Sequence, residues 1–260
     1  MTTTRNASLA TGLVAAVALA ACGGSTTPAP SAAASSAGPL ASLPAASAAA
    51  SPGAGGSSAS GASVFGSAAD RLDTLTSYRF TVNIDSTSAT RTQKVVMSGT
   101  VVNTPTRSYA LEMDSSGEKT SVVVIGGDAW VKLGAAPWQQ LSETTAQAFI
   151  TGLAALRPEK LFATAFGTNG DKFTSAGDDN RNGVASVHYK GSDALSAVFG
   201  GLFGVQATYA SDAWIAKDGG YLVASEIRTT GSAASASGSY ASIVNITNVN
   251  DPANRVDRPA

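Results

Sequence analysis

From Tyr78 to Ile84 apolar and polar residues alternate without a break, with Tyr78, Phe80, Val82 and Ile84 set against Arg79, Thr81, Asn83 and Asp85. A period of two belongs to a strand with one buried face and one wet face. The signature recurs down the chain. Val95, Met97 and Val101 share a phase across Gly99, where the missing side chain predicts a bend or bulge. Tyr109, Leu111 and Met113 repeat the alternation before the turn Ser115-Ser116-Gly117, and residues 120–125 and 129–133 flank Gly126-Gly127-Asp128 as a hairpin. Strand-like runs return at 171–176 and 184–190, joined by a loop that ends on the hairpin dipeptide Asn182-Gly183. Runs at 207–217, 221–230 and 238–249 close the pattern.

Four helical stripes interrupt these strands. Phe65, Ala69, Leu72 and Leu75 predict an amphipathic helix that opens near Val64 and ends near Ser77. Ser142 stands as cap before Ala146, Phe149, Ile150 and Leu153, and Pro158 suits the first turn of a helix carrying Leu161, Phe162, Ala165 and Phe166. Ser192-Asp193 precede Leu195, Val198, Phe199, Leu202 and Phe203 at helical spacing; Gly200, Gly201 and Gly204 weaken that helix by up to about 1 kcal/mol each. The fold class is therefore α+β, a large antiparallel sheet with helices on one face.

The N-terminus carries a different message. A short leader with Arg5 as its one side-chain charge precedes an apolar run from Leu9 to Leu19, too short to span a bilayer and suited to a secretory signal. Leu19-Ala20-Ala21-Cys22 then reads as a lipobox, in which the protein's single cysteine is acylated, for example with palmitate, and becomes the first residue of the mature chain. The alternative is an ordinary signal peptide followed by an incidental Cys22. Residues 22–62 are nearly all Ser, Ala, Gly, Pro and Thr, too poor in large apolar residues to offset the entropy of ordering them. Such a tether of roughly 40 residues reaches on the order of 35 Å. The expected organisation is a signal peptide at 1–21, an anchored tether at 22–62, a domain at 63–250 and a polar tail at 251–260, on the extracytoplasmic face of the cell membrane.

With 13% charged residues, a net charge of −1 and no Lys/Arg block, the chain lacks the footprint of a nucleic-acid binder. With Cys22 used as the anchor, neither an intramolecular disulfide nor a thiolate metal site remains, and no cofactor is implied. His188, the single histidine, falls on the polar phase of its strand with no nucleophile elbow beside it, so an enzyme is not expected. Asp178, Asn180, Asn182 and Gly183 match half of a calcium loop, but the closing glutamate position is Tyr189, and a solvated hairpin tip is the simpler reading. Trp130, Trp138 and Trp214 are read as core in preference to a sugar-stacking platform.

Ser77-Tyr78-Arg79-Phe80, Gly127-Asp128-Ala129-Trp130-Val131-Lys132, Gly183-Val184-Ala185-Ser186-Val187-His188-Tyr189, and Ala213-Trp214-Ile215-Ala216-Lys217-Asp218-Gly219 leading to Glu226-Ile227 resemble the LppX/LprG type of bacterial lipoprotein, itself similar in fold to the carrier LolA. The resemblance spans about Val64 to Val249. It implies a half-barrel, a strongly curved sheet with helices on its concave face and an apolar cavity between them that accepts acyl chains. Phe149, Phe162, Phe166, Phe199 and Phe203 are the expected lining, since all five point from helices toward the sheet. Two functions follow: a monomeric, membrane-anchored carrier of lipid or lipidated cargo, or a cavity-free envelope module that binds protein or glycan. Replacing Cys22 by Ser is expected to abolish incorporation of labelled palmitate and to move the protein out of the membrane fraction.

Overall fold

The computed structural model describes residues 61–88, 92–203, 205, 207–230 and 238–260. The signal segment, Cys22 and the tether lie outside the described residues. Helix α1 is Gly61–Leu72, followed by strands β1 (Ser77–Ser88), β2 (Thr92–Val102), β3 (Ser108–Ser115), β4 (Glu118–Ile125), β5 (Asp128–Leu133) and β6 (Gln139–Gln140). Helices α2 (Glu143–Ala154) and α3 (Pro158–Phe166) and a 3-10 turn (Gly167–Lys172) come next, then β7 (Phe173–Arg181), β8 (Val184–Gly191), α4 (Leu195–Phe203), β9 (Thr208–Ala216), β10 (Leu222–Thr230) and β11 (Gly238–Thr247).

All strands belong to one antiparallel sheet of 11 strands in the order β6-β5-β4-β3-β2-β1-β11-β10-β9-β8-β7. Two meanders, β1 to β6 and β7 to β11, run outward from the centre, where β1 pairs with β11 from Arg79↔Thr247 to Ser88↔Gly238. The sheet stays open, with β6 and β7 as its edges. The helices pack on its concave face. Tyr78, Phe80, Val82, Val101, Leu111, Val122, Val124, Val244 and Ile246 meet Phe65, Leu72, Phe149, Phe162, Phe166 and Phe199 in one core. Each large apolar side chain so buried contributes about 1.5–3 kcal/mol.

Several elements depart from the periodicity. The first helix stops at Leu72, short of Ser77, because the Asn103 side-chain amide donates to the Leu72 and Leu75 carbonyls at 3.2 and 2.9 Å and ends the turn there. Ser142 caps α2 by backbone alone; its hydroxyl sits 2.9 Å from the Thr145 hydroxyl. The expected loop at Asp178–Asn180 is strand, since β7 continues to Arg181 and only Asn182-Gly183, both at positive φ, make the turn. Pairing shifts register between Ser175 and Gly177 and between Leu222 and Ala224.

Gly99 is not a bulge, because the β1–β2 and β2–β3 registers run through it unbroken. Its missing side chain leaves room for its cross-strand partner instead. A Cβ there lies 2.7 Å from the Phe80 ring and 2.6 Å from the Ala110 carbonyl oxygen.

The polar tail is also placed. Asn254 is buried and donates to Ser77 Oγ at 3.0 Å while accepting from Arg79 Nε at 3.1 Å. Further on, the Arg258 guanidinium lies 5.0 Å above the Trp130 ring and donates to Gln140 at 3.3 Å. The last residues thus strap the convex face from β1 to β6. Gly99→Ala is expected to destabilise the domain by about 1–3 kcal/mol through overpacking against Phe80 and backbone, read as a lower urea midpoint at unchanged m.

Candidate functional site on the concave face

The concave face is unevenly covered. At the end of the sheet near Tyr78 it is sealed: Phe65 in α1 touches Phe162, Phe173 and Tyr189 with ring centroids 5.7, 4.7 and 5.2 Å apart. Phe162 and Phe166 stack at 4.7 Å, Phe166 meets Phe199 at 6.2 Å, and Phe199 meets Phe203 at 5.7 Å. Helical spacing puts each pair on one stripe, and α3 and α4 bring the stripes together over the sheet. Four of the five sequence-selected phenylalanines therefore form one aromatic chain, while Phe149 sits apart on α2, which packs against β5. Phe162, Phe166 and Phe199 are fully buried in it.

Toward the opposite end the cover thins. Along β1 the inward residues pass from buried Tyr78, Phe80 and Val82 to half-buried Ile84; along β2 they pass from Val101 and Met97 to half-buried Val95; along β3, from Leu111 to half-buried Met113. Register sets Ile84 beside Val95 and Met113 beside Met97, so the half-buried residues form a continuous apolar surface. Ile150 of α2 and Phe203 of α4 are half-buried too, and Phe203 stacks on Tyr240 at 3.9 Å, with Tyr240 paired to Ser86 at this same end. The Leu202 beside it, placed on the inward stripe by spacing, is 44% exposed instead. Helix α4 turns Leu195 and Phe199 to the sheet, which leaves Leu202 on its far side.

A buried ion network enters the apolar core between α3 and the sheet. Glu159, 1% exposed in the first turn of α3, accepts from Tyr78 Oη at 3.1 Å and pairs with Arg157 Nε at 2.6 Å. Arg157 also reaches Asp73 at 2.5 Å, and Asp73 is held by Arg107 at 2.6 Å. Burial raises the Glu159 carboxyl above its ordinary value and outweighs the Arg157 guanidinium beside it. A small cavity of about 20 Å³ opens next to this network, lined by Phe80, Val101, Tyr109, Leu111, Leu153, Leu156 and Arg157. That is room for a water molecule, not for an acyl chain. The Tyr109 hydroxyl, a pocket wall, has no hydrogen-bond partner among the described residues, and burial pushes its pKa up to about 12. Charged residues at 157 and 159 gave no periodic signal; only their adjacency to Pro158 at a helix start marked them.

The convex face holds a second polar cluster. His188 lies on it as expected, 2.7 Å from Asp212 and stacked on Trp214 at 4.6 Å. Trp214 is 6% exposed, donates to Asp179 at 2.7 Å and lies under the Arg181 guanidinium, which pairs with Glu226. Trp130 and Trp214 are therefore buried, but outside the main core, each beneath an arginine. No group of three or more potential metal ligands occurs among the described residues.

The buried carboxyl has a pH signature. The folded state holds the Glu159 proton to higher pH than the unfolded chain, so this group's contribution is most favourable below the ordinary carboxylate value of 4.5 and declines as pH rises toward the raised one. Glu159→Gln is expected to flatten the fall in stability over that window in urea titrations. Arg157→Ala, which leaves the carboxylate unpaired, is expected to cost about 3–5 kcal/mol near neutral pH.

Among solved structures, the chain is similar to LppX of Mycobacterium tuberculosis at 18% identity, covering 75% of this chain and 97% of that one with a TM-score of 0.43. It is similar to LprF of Mycobacterium bovis at 12% identity, covering 77% and 97% with a TM-score of 0.45. A LolA superfamily protein from Nitrosomonas europaea matches at 11% identity, covering 78% and 96% with a TM-score of 0.26. No curated protein matches the chain significantly. The profile of the LppX_LprAFG lipoproteins matches residues 61–251, nearly the whole described domain up to the start of the strap, and the chain belongs to that family.

Proposed function

We propose that this lipoprotein is an acyl-chain carrier of the cell envelope, exported by its first 21 residues, anchored through acylated Cys22 and linked to the membrane by the 22–62 tether. The observation that carries the reading is the thinning cover of the concave face. Ile84, Val95, Met113, Ile150 and Phe203 extend an apolar surface beyond the sealed core, at the end where α4 stops. An acyl chain laid on that surface leaves water at about 25 cal/mol per Å² of apolar area. Phe203 marks where the lining begins; Phe199, Phe166 and Phe162 would join it as α4 swings outward on its Gly200-Gly201 pair, with Phe149 lining the α2 side. No catalytic step is assigned.

The filled aromatic chain favours the second reading, a closed module that binds protein or glycan. The two separate in one experiment: native mass spectrometry of the mature protein followed by organic extraction. Near-stoichiometric acyl lipid is expected, falling roughly tenfold in occupancy in Met113→Glu with the circular dichroism spectrum unchanged. A clean apo mass that stays unshifted after incubation with envelope lipids would sink the carrier reading in favour of the closed module.

A further inference from the structure

Helix α4 has two apolar sides. Leu195 and Phe199 face the sheet, and Ser196 is tied down by accepting the Tyr209 backbone N–H at 3.0 Å. The other side shows Ala197, Gly201 and Leu202, all exposed, with Val198 at its edge, half-buried and partly packed against the core. These positions, at i, i+1, i+4 and i+5, form one stripe without a polar side chain. Nothing nearby in sequence relieves it, because no charged residue occurs between Asp193 and Asp212. Leu202 is the large hydrophobic residue that the described surface exposes.

The size of the stripe limits what it fits. A helix of 9 residues is about 14 Å long at 1.5 Å per residue. With a face about 10 Å wide it offers on the order of 150 Å², against the roughly 800 Å² per partner that a standard protein interface or dimer buries. A bilayer surface has no such threshold when the protein is already tethered to it, since the tether supplies a high effective concentration and weak contacts suffice. If the chain between Cys22 and α1 is the coil that its composition predicts, it would reach on the order of 35 Å, enough to return the domain to the bilayer. An uncharged stripe of Ala, Val, Gly and Leu also enters the headgroup boundary without desolvating a charge.

We propose that the outer stripe of α4 is a membrane-contact surface, which lays Leu202 and Val198 into the outer boundary of the bilayer that carries the anchor. This rests on the carrier reading and deepens it. The contact sets the C-terminal end of α4, Phe203 and the half-covered apolar surface at the membrane, so an acyl chain moves between bilayer and sheet with little exposure to water.

The test uses the full mature chain, acylated at Cys22 and reconstituted in vesicles of phosphatidylethanolamine and phosphatidylglycerol. With Cys22 acylated, Leu202→Cys, Ala197→Cys and, as reference on the exposed β2–β3 loop at the opposite end of the sheet, Thr106→Cys each present one free thiol for an environment-sensitive fluorophore. The expected result is blue-shifted emission at positions 202 and 197, with quenching by shallow spin-labelled lipid at least threefold stronger than at 106. Equal, water-like emission at all three positions overturns the contact, as does a protein that fails to float with the vesicles. Lipid extraction of the same samples keeps the readings apart: bound cargo with an aqueous position 202 removes the membrane contact and leaves the carrier standing, while a membrane-embedded position 202 without cargo does the reverse.

Discussion

Everything in this domain hangs on the ladder between β1 and β11. The two meanders are each sequential and local, so their strands find neighbours by short turns. Only the ten-residue pairing from Arg79↔Thr247 to Ser88↔Gly238 joins the first strand of the chain to the last and turns two ribbons into one sheet. The same strand supplies Tyr78, Phe80 and Val82 to the core, and the Tyr78 hydroxyl to Glu159. Closing that pair across about 160 residues is entropically expensive, and the cost of a loop grows only slowly with its length, so a continuous hydrophobic face is sufficient to hold it.

Given that ladder, the helices divide the concave face by chemistry. Where α1, α3 and α4 converge, phenylalanines interlock and the interior is closed. Where α2 and α4 part, aliphatic residues remain half-covered. The ion network of Asp73, Arg107, Arg157 and Glu159 sits on the closed side and fixes the start of α3 against β1. One sheet thus carries a closed aromatic end and a half-covered aliphatic end.

The strands were legible because alternation is a local pattern, and Tyr78 to Ile84 reads the same in sequence and in space. The failures have physical reasons. Leu202 shares a helical stripe with Phe199, yet the stripe is wider than the face that α4 buries. Gly99 was read as a bend or bulge, whereas it makes room for the ring of Phe80, 19 positions earlier in the chain. Trp130, Trp138 and Trp214 were read as core; Trp130 and Trp214 are buried on the convex face under Arg258 and Arg181, Trp138 is only half-buried, and no periodicity announces a guanidinium laid on an indole. The half-buried lining at Ile84, Val95 and Met113 was present in the alternation; which end of the strands stays open is a property of helix placement and lies beyond it.

The position of the two buried tryptophans governs how this protein is to be watched in solution. Both emit from the convex side, one under the C-terminal strap and one within the β7–β8 hairpin cluster, while Tyr109, Tyr189, Tyr209 and Tyr240 belong to the concave side. Emission from these two indoles is thus a gauge of the outer shell, following release of the last ten residues or loosening of the hairpin, with the half-buried Trp138 as a third emitter beside them. The phenols report on the concave side instead, so a spectroscopist who selects Trp130 and Trp214 watches the back of the sheet, and one who follows tyrosine watches its helix-covered front.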